Sequence, residues 1–258
     1  MVTRRLLPTL IAAPAIGQPL ARNPPLTVLG TGATEMPIER VAHAFTQSTG
    51  RAVLTATGNG GQVAARLRAG EAPDVVLNAG PAIDALIRDG FATARREMGR
   101  MRLGVAVRQG AAIPDIGTEA GLAVFLRAAA SIGLSDAASG ATSGPHVLAL
   151  LERLAVPPEA AGGPRRAPFA RGITAVQAVA VGAVACVITQ ISEIIAVPGA
   201  LLVAPLPEAL QLVTPYVAAI PSRSPDPAAA ALFIALAAGP VGQVFFREAG
   251  FAPASDGA

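Results

Sequence analysis

Apolar residues in this chain fall into two kinds of run that take turns: short unbroken ones, and longer stretches where they recur every three or four positions. The first kind reads as buried strand, the second as one face of a helix. Residues 26–29 open the series as a strand. Ile38, Val41, Ala42 and Phe45 then share a helical face, with Thr34 as cap, Pro37 tolerated in the first turn and Gly50 as the stop. Residues 52–57 are β-rich, and Val63, Ala64 and Leu67 continue as a helix closed by Gly70. Residues 75–77 form a third strand with Asn78 at its carboxyl end, and a helix over 83–88 stops at Gly90. Strand and helix alternating at this spacing predict a mostly parallel sheet.

The second half repeats the grammar less regularly. A β pattern over 103–107 precedes a helix over 118–127, a strand over 131–134 and a helix over 145–155. A linker-like stretch covers 156–164. Residues 173–180 read as helix, 183–189 as β-rich, and 213–220 as strand. The turn 221–227 leads into a helix over 228–248, broken near Gly239 and Pro240.

Three of the strand-to-helix turns are polar and rich in small residues: 30–34 (GTGAT), 58–61 (GNGG) and 135–144 (SDAASGATSG). Small polar residues at such a junction cap helices for stability alone. Three in one chain point further. The first N–H groups of a helix lack partners and carry partial positive charge, so several such ends facing one space make a cradle for an anion. In a parallel sheet, ligands bind outside the carboxyl ends of the strands, where all three turns fall.

Composition narrows the partner. The chain is 52% hydrophobic and 14% charged, enough to bury a sizeable core. Arg4 and Arg5 precede a short apolar run with small residues near Ala15, Gly17 and Ala21, the pattern of an export leader, so residues 1–21 are expected to be a signal peptide. The arginine pair also resembles a twin-arginine signal. Setting those two arginines aside lowers the formal charge of +3 to +1, which argues against a nucleic-acid partner. Every basic residue is arginine. The single cysteine, Cys186, lies in an apolar run and is expected to be a buried structural thiol. No zinc spacing, serine-nucleophile elbow or phosphate-binding glycine loop is present, so neither metal nor cofactor is expected.

The order of these elements resembles the type II periplasmic solute-binding proteins, and within them the molybdate-binding-protein family. The residues that carry the likeness are 26–29 (LTVL), 69–76 (AGEAPDVV), 135–144, 190–194 (QISEI), 205–207 (PLP) and the closing pairs 239–240 and 250–251. The resemblance implies an α/β fold of two lobes, each a mostly parallel sheet flanked by helices. Residues 22–100 and 215–258 would form lobe 1 and residues 101–214 lobe 2, with 103–107 and 213–220 as the crossovers of a hinge. It also implies periplasmic export, capture of a small anionic ligand between the lobes, and delivery to the permease of an ABC transporter. The chain departs from the molybdate binders at Ala33, at the Asn59, Gly60, Gly61 turn, and in having no tyrosine near Thr189 and Gln190. These changes make a roomier cradle, and the expected ligand is a larger oxyanion, above all a small carboxylate.

The candidate ligand contacts are Thr31, Ala33, Thr34, Asn59, Gly60, Gly61, Asn78, Ser139, Gly140, Thr142, Ser143 and Gln190. Asn78 could contact the ligand from the end of the third strand but reads first as a turn residue, and Arg165, Arg166 and Arg171 read first as a solvated basic loop. The resembled family has a branch that contains aconitate isomerase, which moves a double bond in a tricarboxylate. That chemistry needs a general base, and His146 and Glu193 are its candidates here.

Overall fold

A computed structural model of the chain describes residues 24–254. The expected signal peptide therefore lies outside the described residues. The strands are β1 (Leu26–Thr31), β2 (Val53–Gly58), β3 (Val75–Ala79), β4 (Ala92–Arg108), β5 (Ser131–Ser135), β6 (Arg165–Phe169), β7 (Cys186–Gln190), β8 (Ala200–Pro205) and β9 (Val213–Pro221). The helices are α1 (Glu35–Thr49), α2 (Gly60–Arg68), α3 (Gly80–Arg88), α4 (Glu119–Ala128), α5 (Gly144–Arg153), α6 (Gly172–Ala180), α7 (Ile191–Ile195), α8 (Pro227–Ala238) and α9 (Pro240–Glu248). Two sheets of five strands result, β2-β1-β3-β9-β4 and β8-β4-β7-β5-β6, and they share β4. Within each, three strands run parallel: β1, β2 and β3 in the first, β5, β6 and β7 in the second.

Period-two side-chain alternation explains why helices cover both faces of each sheet. In the first, Val28, Val75, Leu77 and Ala218 face α1, α8 and α9 through Phe45, Phe233 and Phe246, while Leu29, Val76, Val217 and Ala219 face Val63 of α2 and Leu86 of α3. In the second, Val105, Ile132 and Ile188 meet Leu122 of α4 and Val147 of α5. Ala106 and Val187 meet Val176 and Val179 of α6. Each large side chain so buried contributes about 1.5–3 kcal/mol.

The expected stop at Gly50 is found, whereas Thr34 stands at the head of α1 without a side-chain cap bond to it. Gly50 closes α1 with φ of 70°, and the Thr118 hydroxyl accepts from the Gly121 N–H to start α4. Gly239 and Pro240 separate α8 from α9 by a 61° bend, and among the described residues no single helix is long and apolar enough to cross a membrane. Asp74, just before β3, accepts from the Thr27 N–H and hydroxyl with one oxygen and from the Asp226 N–H with the other. This buried carboxylate ties the first strand to the start of α8.

The 17-residue β4 passes from one sheet into the other, pairing β9 up to Arg102 and β7 from Leu103 onward. The return runs through residues 206–212. β9 itself lies wholly in the first sheet, paired with β3 and β4. The carboxyl ends of β1, β2, β5 and β7, from both sheets, meet at one cleft.

Candidate functional site

β1 delivers Thr31, buried at the mouth of a single 3-10 turn, Gly32–Thr34, that leads into α1. The Thr34 hydroxyl is turned back, donating to the Thr31 carbonyl and accepting from the Thr31 N–H. It shapes the turn and does not reach the cleft. β2 delivers Asn59, whose side chain caps α2 by accepting from the Gln62 N–H, while Gln62 accepts from the Asn59 N–H. The Asn59 amide also donates to the Ala170 carbonyl of the second lobe at 3.2 Å.

β5 delivers Ser135, and the polar stretch after it coils into a short turn before α5. The Ser139 hydroxyl donates to the Asp136 carbonyl, and Gly140 turns the chain with φ of 77°. Gly61 of α2 meets that turn edge-on, its N–H donating to the Gly140 carbonyl at 2.9 Å. A Cβ on Gly61 would stand 2.8 Å from the Gly140 Cα, so this backbone crossing requires glycine.

A fourth junction follows β6. Arg171 stands directly before α6 and reaches across to the first lobe, donating to Glu35 at 2.6 Å and to the Thr57 hydroxyl at 2.9 Å. Its Nε is buried without an acceptor. Glu193 of α7 is buried between the lobes. One carboxylate oxygen accepts from the Thr189 hydroxyl at 2.6 Å and lies against Gly172, where a Cβ would come within 1.9 Å; the other lies against Gly32. Burial pushes the Glu193 carboxyl above the usual carboxylate range. The Thr189 hydroxyl, the Arg171 charge and the Ile173 N–H pull it down, and Glu35 adds to the rise. Tyr216 of β9 comes in from the hinge side, its ring edge-on to Phe251. Burial holds its phenol protonated, with the Glu193 charge in the same direction and the Thr31 and Thr142 hydroxyls acting against them.

These groups line one small cavity between the lobes, partly open to solvent. Of the residues predicted from sequence, Thr31, Ala33, Asn59, Gly60, Thr142, Ser143 and Gln190 line it, and so does Glu193. The other predicted residues stand behind the lining. Asn78 is fully buried, its amide donating to the Gly60 carbonyl and its oxygen accepting from the Ala79 N–H. Thr34 and Ser139 spend their hydroxyls on their own turns, and Gly61 and Gly140 pack on each other. His146 points away, its Nε2–H bonded to the Leu210 carbonyl at 2.9 Å. Ala141, within the predicted 139–143 turn, lines it too, and the lining also includes Gly32, Gly58, Ser135, Arg171, Gly172 and Tyr216, which were not among the expected contacts.

Gln190 is the most telling member. It is 3% exposed, and neither its amide nitrogen nor its oxygen has a hydrogen-bond partner. A buried amide left so costs about 1–3 kcal/mol per group, and a bound acceptor would recover the nitrogen's share. Around it converge the N-termini of α2, α5 and α6, each helix nine residues or longer.

Comparison with known proteins gives the family and the fold. A family model described as bacterial extracellular solute-binding protein matches residues 26–252. An aconitate isomerase from a Pseudomonas species is 34% identical over 212 residues, covering 80% of this chain and 79% of that one. Among solved structures, the Azotobacter vinelandii periplasmic molybdate-binding protein superposes with a TM-score of 0.72 at 22% identity, over 89% of this chain and all of that one. The tungstate ABC transporter structure from Geobacter sulfurreducens gives 0.64 at 17% identity, over 86% and 97%. Both share the two-lobed fold.

Proposed function

The chain belongs to the bacterial extracellular solute-binding proteins, and from that premise we propose that it captures a small carboxylate-bearing anion in the cleft between its lobes. Export to the periplasm and delivery to an ABC-type permease complete this reading. The single observation that carries it is the unpaired Gln190 amide, buried in a cavity where donors from both lobes meet. Arg171 adds a cation to the lining, and its Nε is buried without an acceptor. A thermal-shift screen of molybdate, sulfate, and di- and tricarboxylates tests it. A ligand at a hundred times its Kd stabilises by about 2.7 kcal/mol, which for a chain of this size raises Tm by roughly 5–10 °C. A rise with a carboxylate is the expected result. Tight molybdate binding with no response to carboxylates would overturn the ligand class.

A second reading has its own support. Among the described residues Glu193 is the only carboxylate in the cavity lining, its affinity for a proton is raised, and a relative at 34% identity is an aconitate isomerase. In an isomerase, a base removes an allylic proton, the double bond shifts, and a proton is delivered to the carbon at the other end. On this reading Glu193 takes the proton and, once protonated, returns it to the carbon at the other end, so that it finishes as it began; His146 is tied to the Leu210 carbonyl. Incubation with cis- or trans-aconitate, followed by NMR, separates the readings. Interconversion lost in Glu193→Gln with binding retained marks an enzyme, and tight binding without interconversion marks a receptor.

A further inference from the structure

Glu193 is an odd wall for an anion site. An ionised carboxylate facing the cavity would repel the ligand in a poorly screened space. The charged and titratable groups around it come from four elements: Glu193 on α7, Arg171 before α6, Glu35 on α1 and Tyr216 on β9. Arg171 does not cancel both carboxylates, because its terminal nitrogen is already held by Glu35 at 2.6 Å. Tyr216 is neutral. With both glutamates ionised, this group carries net negative charge before any ligand arrives.

Hydrogen bonding shows where a proton would sit. The Glu193 oxygen beside Gly172 accepts from the Thr189 hydroxyl and is occupied. The other oxygen lies against Gly32, on the first-lobe side, and accepts from no side-chain hydroxyl, while the Ile173 N–H also bonds the carboxylate. A proton on that oxygen turns a repelling group into a donor and removes the excess charge in the same step.

We infer that the anion enters this cleft together with one proton, taken from solution onto Glu193, so that the closed complex pairs a fully ionised ligand with a neutral Glu193. This rests on the anion-binding reading above and adds a rule of selection to it. Anions that only accept hydrogen bonds are bound by a donor wall, and binding weakens as the medium becomes alkaline.

The sign follows from linkage. The bound state holds one more proton than the free protein plus ligand wherever Glu193 is ionised in the free protein and protonated in the complex. Across that window Kd rises by up to about tenfold per pH unit as pH increases, and below it Kd is flat. The test is calorimetry of the full chain with trans-aconitate and with sulfate, between about pH 7 and 9, in buffers of different ionisation enthalpy. Both anions are fully ionised there, so the proton counted is the protein's. Expected is a dependence of the observed heat on the buffer corresponding to about one proton taken up per anion. Glu193→Gln, which keeps a donor but cannot titrate, is expected to bind with no proton uptake and a flat pH profile. Tight binding by the natural chain without proton uptake, or uptake unchanged in Glu193→Gln, overturns this inference alone. Failure of every anion to bind the natural chain overturns the anion-binding reading and this inference with it.

Discussion

Replacing Gly61 with alanine is expected to leave the protein folded and to weaken ligand capture by about 5- to 150-fold. Gly61 lies inside α2, where alanine is favoured over glycine by up to about 1 kcal/mol, so the first lobe loses nothing by the change. The added methyl would sit 2.8 Å from the Gly140 Cα and 3.1 Å from the Ser139 carbonyl, both backbone of the opposite lobe. Neither can swing aside as a side-chain tip would. Overpacking of this kind costs about 1–3 kcal/mol, and the cost falls on the closed state alone, because separated lobes do not feel it. Since ligand affinity includes the free energy of closing, Kd should rise about 5- to 150-fold. Calorimetry gives Kd, and small-angle scattering should show that ligand shrinks the natural chain more than the variant. Unchanged affinity would mean that the crossing of Gly61 and Gly140 is not part of the bound state.

Arg171→Ala is the second. The change removes the guanidinium from the lining, where charge-assisted hydrogen bonds are worth about 1.5–3 kcal/mol each. It also deletes the bond to Glu35 that joins the lobes. Affinity should fall by roughly 10- to 150-fold from the lost ligand contact, and further through the lost bridge. Arg171→Lys restores the charge without the planar fork, so its affinity should fall between the two. Titration of both variants checks the order. If Arg171→Lys binds as well as the natural chain, the site senses charge and not shape.

Reading from sequence succeeded where local chemistry decides local shape. Alternating apolar runs located β1, β2, β3, β5 and β7, and the three polar turns following β1, β2 and β5 all contribute to the cavity lining. Five further features were hidden for identifiable reasons. The first half of β4 carries Arg95, Arg96, Glu97, Arg100 and Arg102, too many charges for an apolar run, and it is a strand because β9 pairs with it. β6 spans Arg165 and Arg166, whose guanidiniums bond the carbonyls of Ala183 and Val156; a tertiary partner makes a basic stretch into a strand. β8 carries no period-two pattern, since its residues are only partly buried.

Arg171 was hidden by the same charge run. Its neighbours looked like a solvated loop, yet Arg171 and Gly172 repeat the strand, turn and helix grammar of the other three junctions, which was the available signal. Tyr216 gave none, because a tyrosine inside a strand reads as core. His146 misled in the opposite direction. It is two residues beyond a lining turn, but the helix rotates its ring to Leu210, and a spacing of two says nothing about which face a side chain takes.

Cys186 is wholly buried at the start of β7, and desolvation pushes its thiol up to about 12. The thiolate needed for alkylation is therefore scarce while the second sheet stays intact. A cysteine introduced on the surface of each lobe would accept a fluorophore without competition from the native one, giving a direct ruler for opening and shutting. Modification of Cys186 itself would then count only the molecules whose core has come apart.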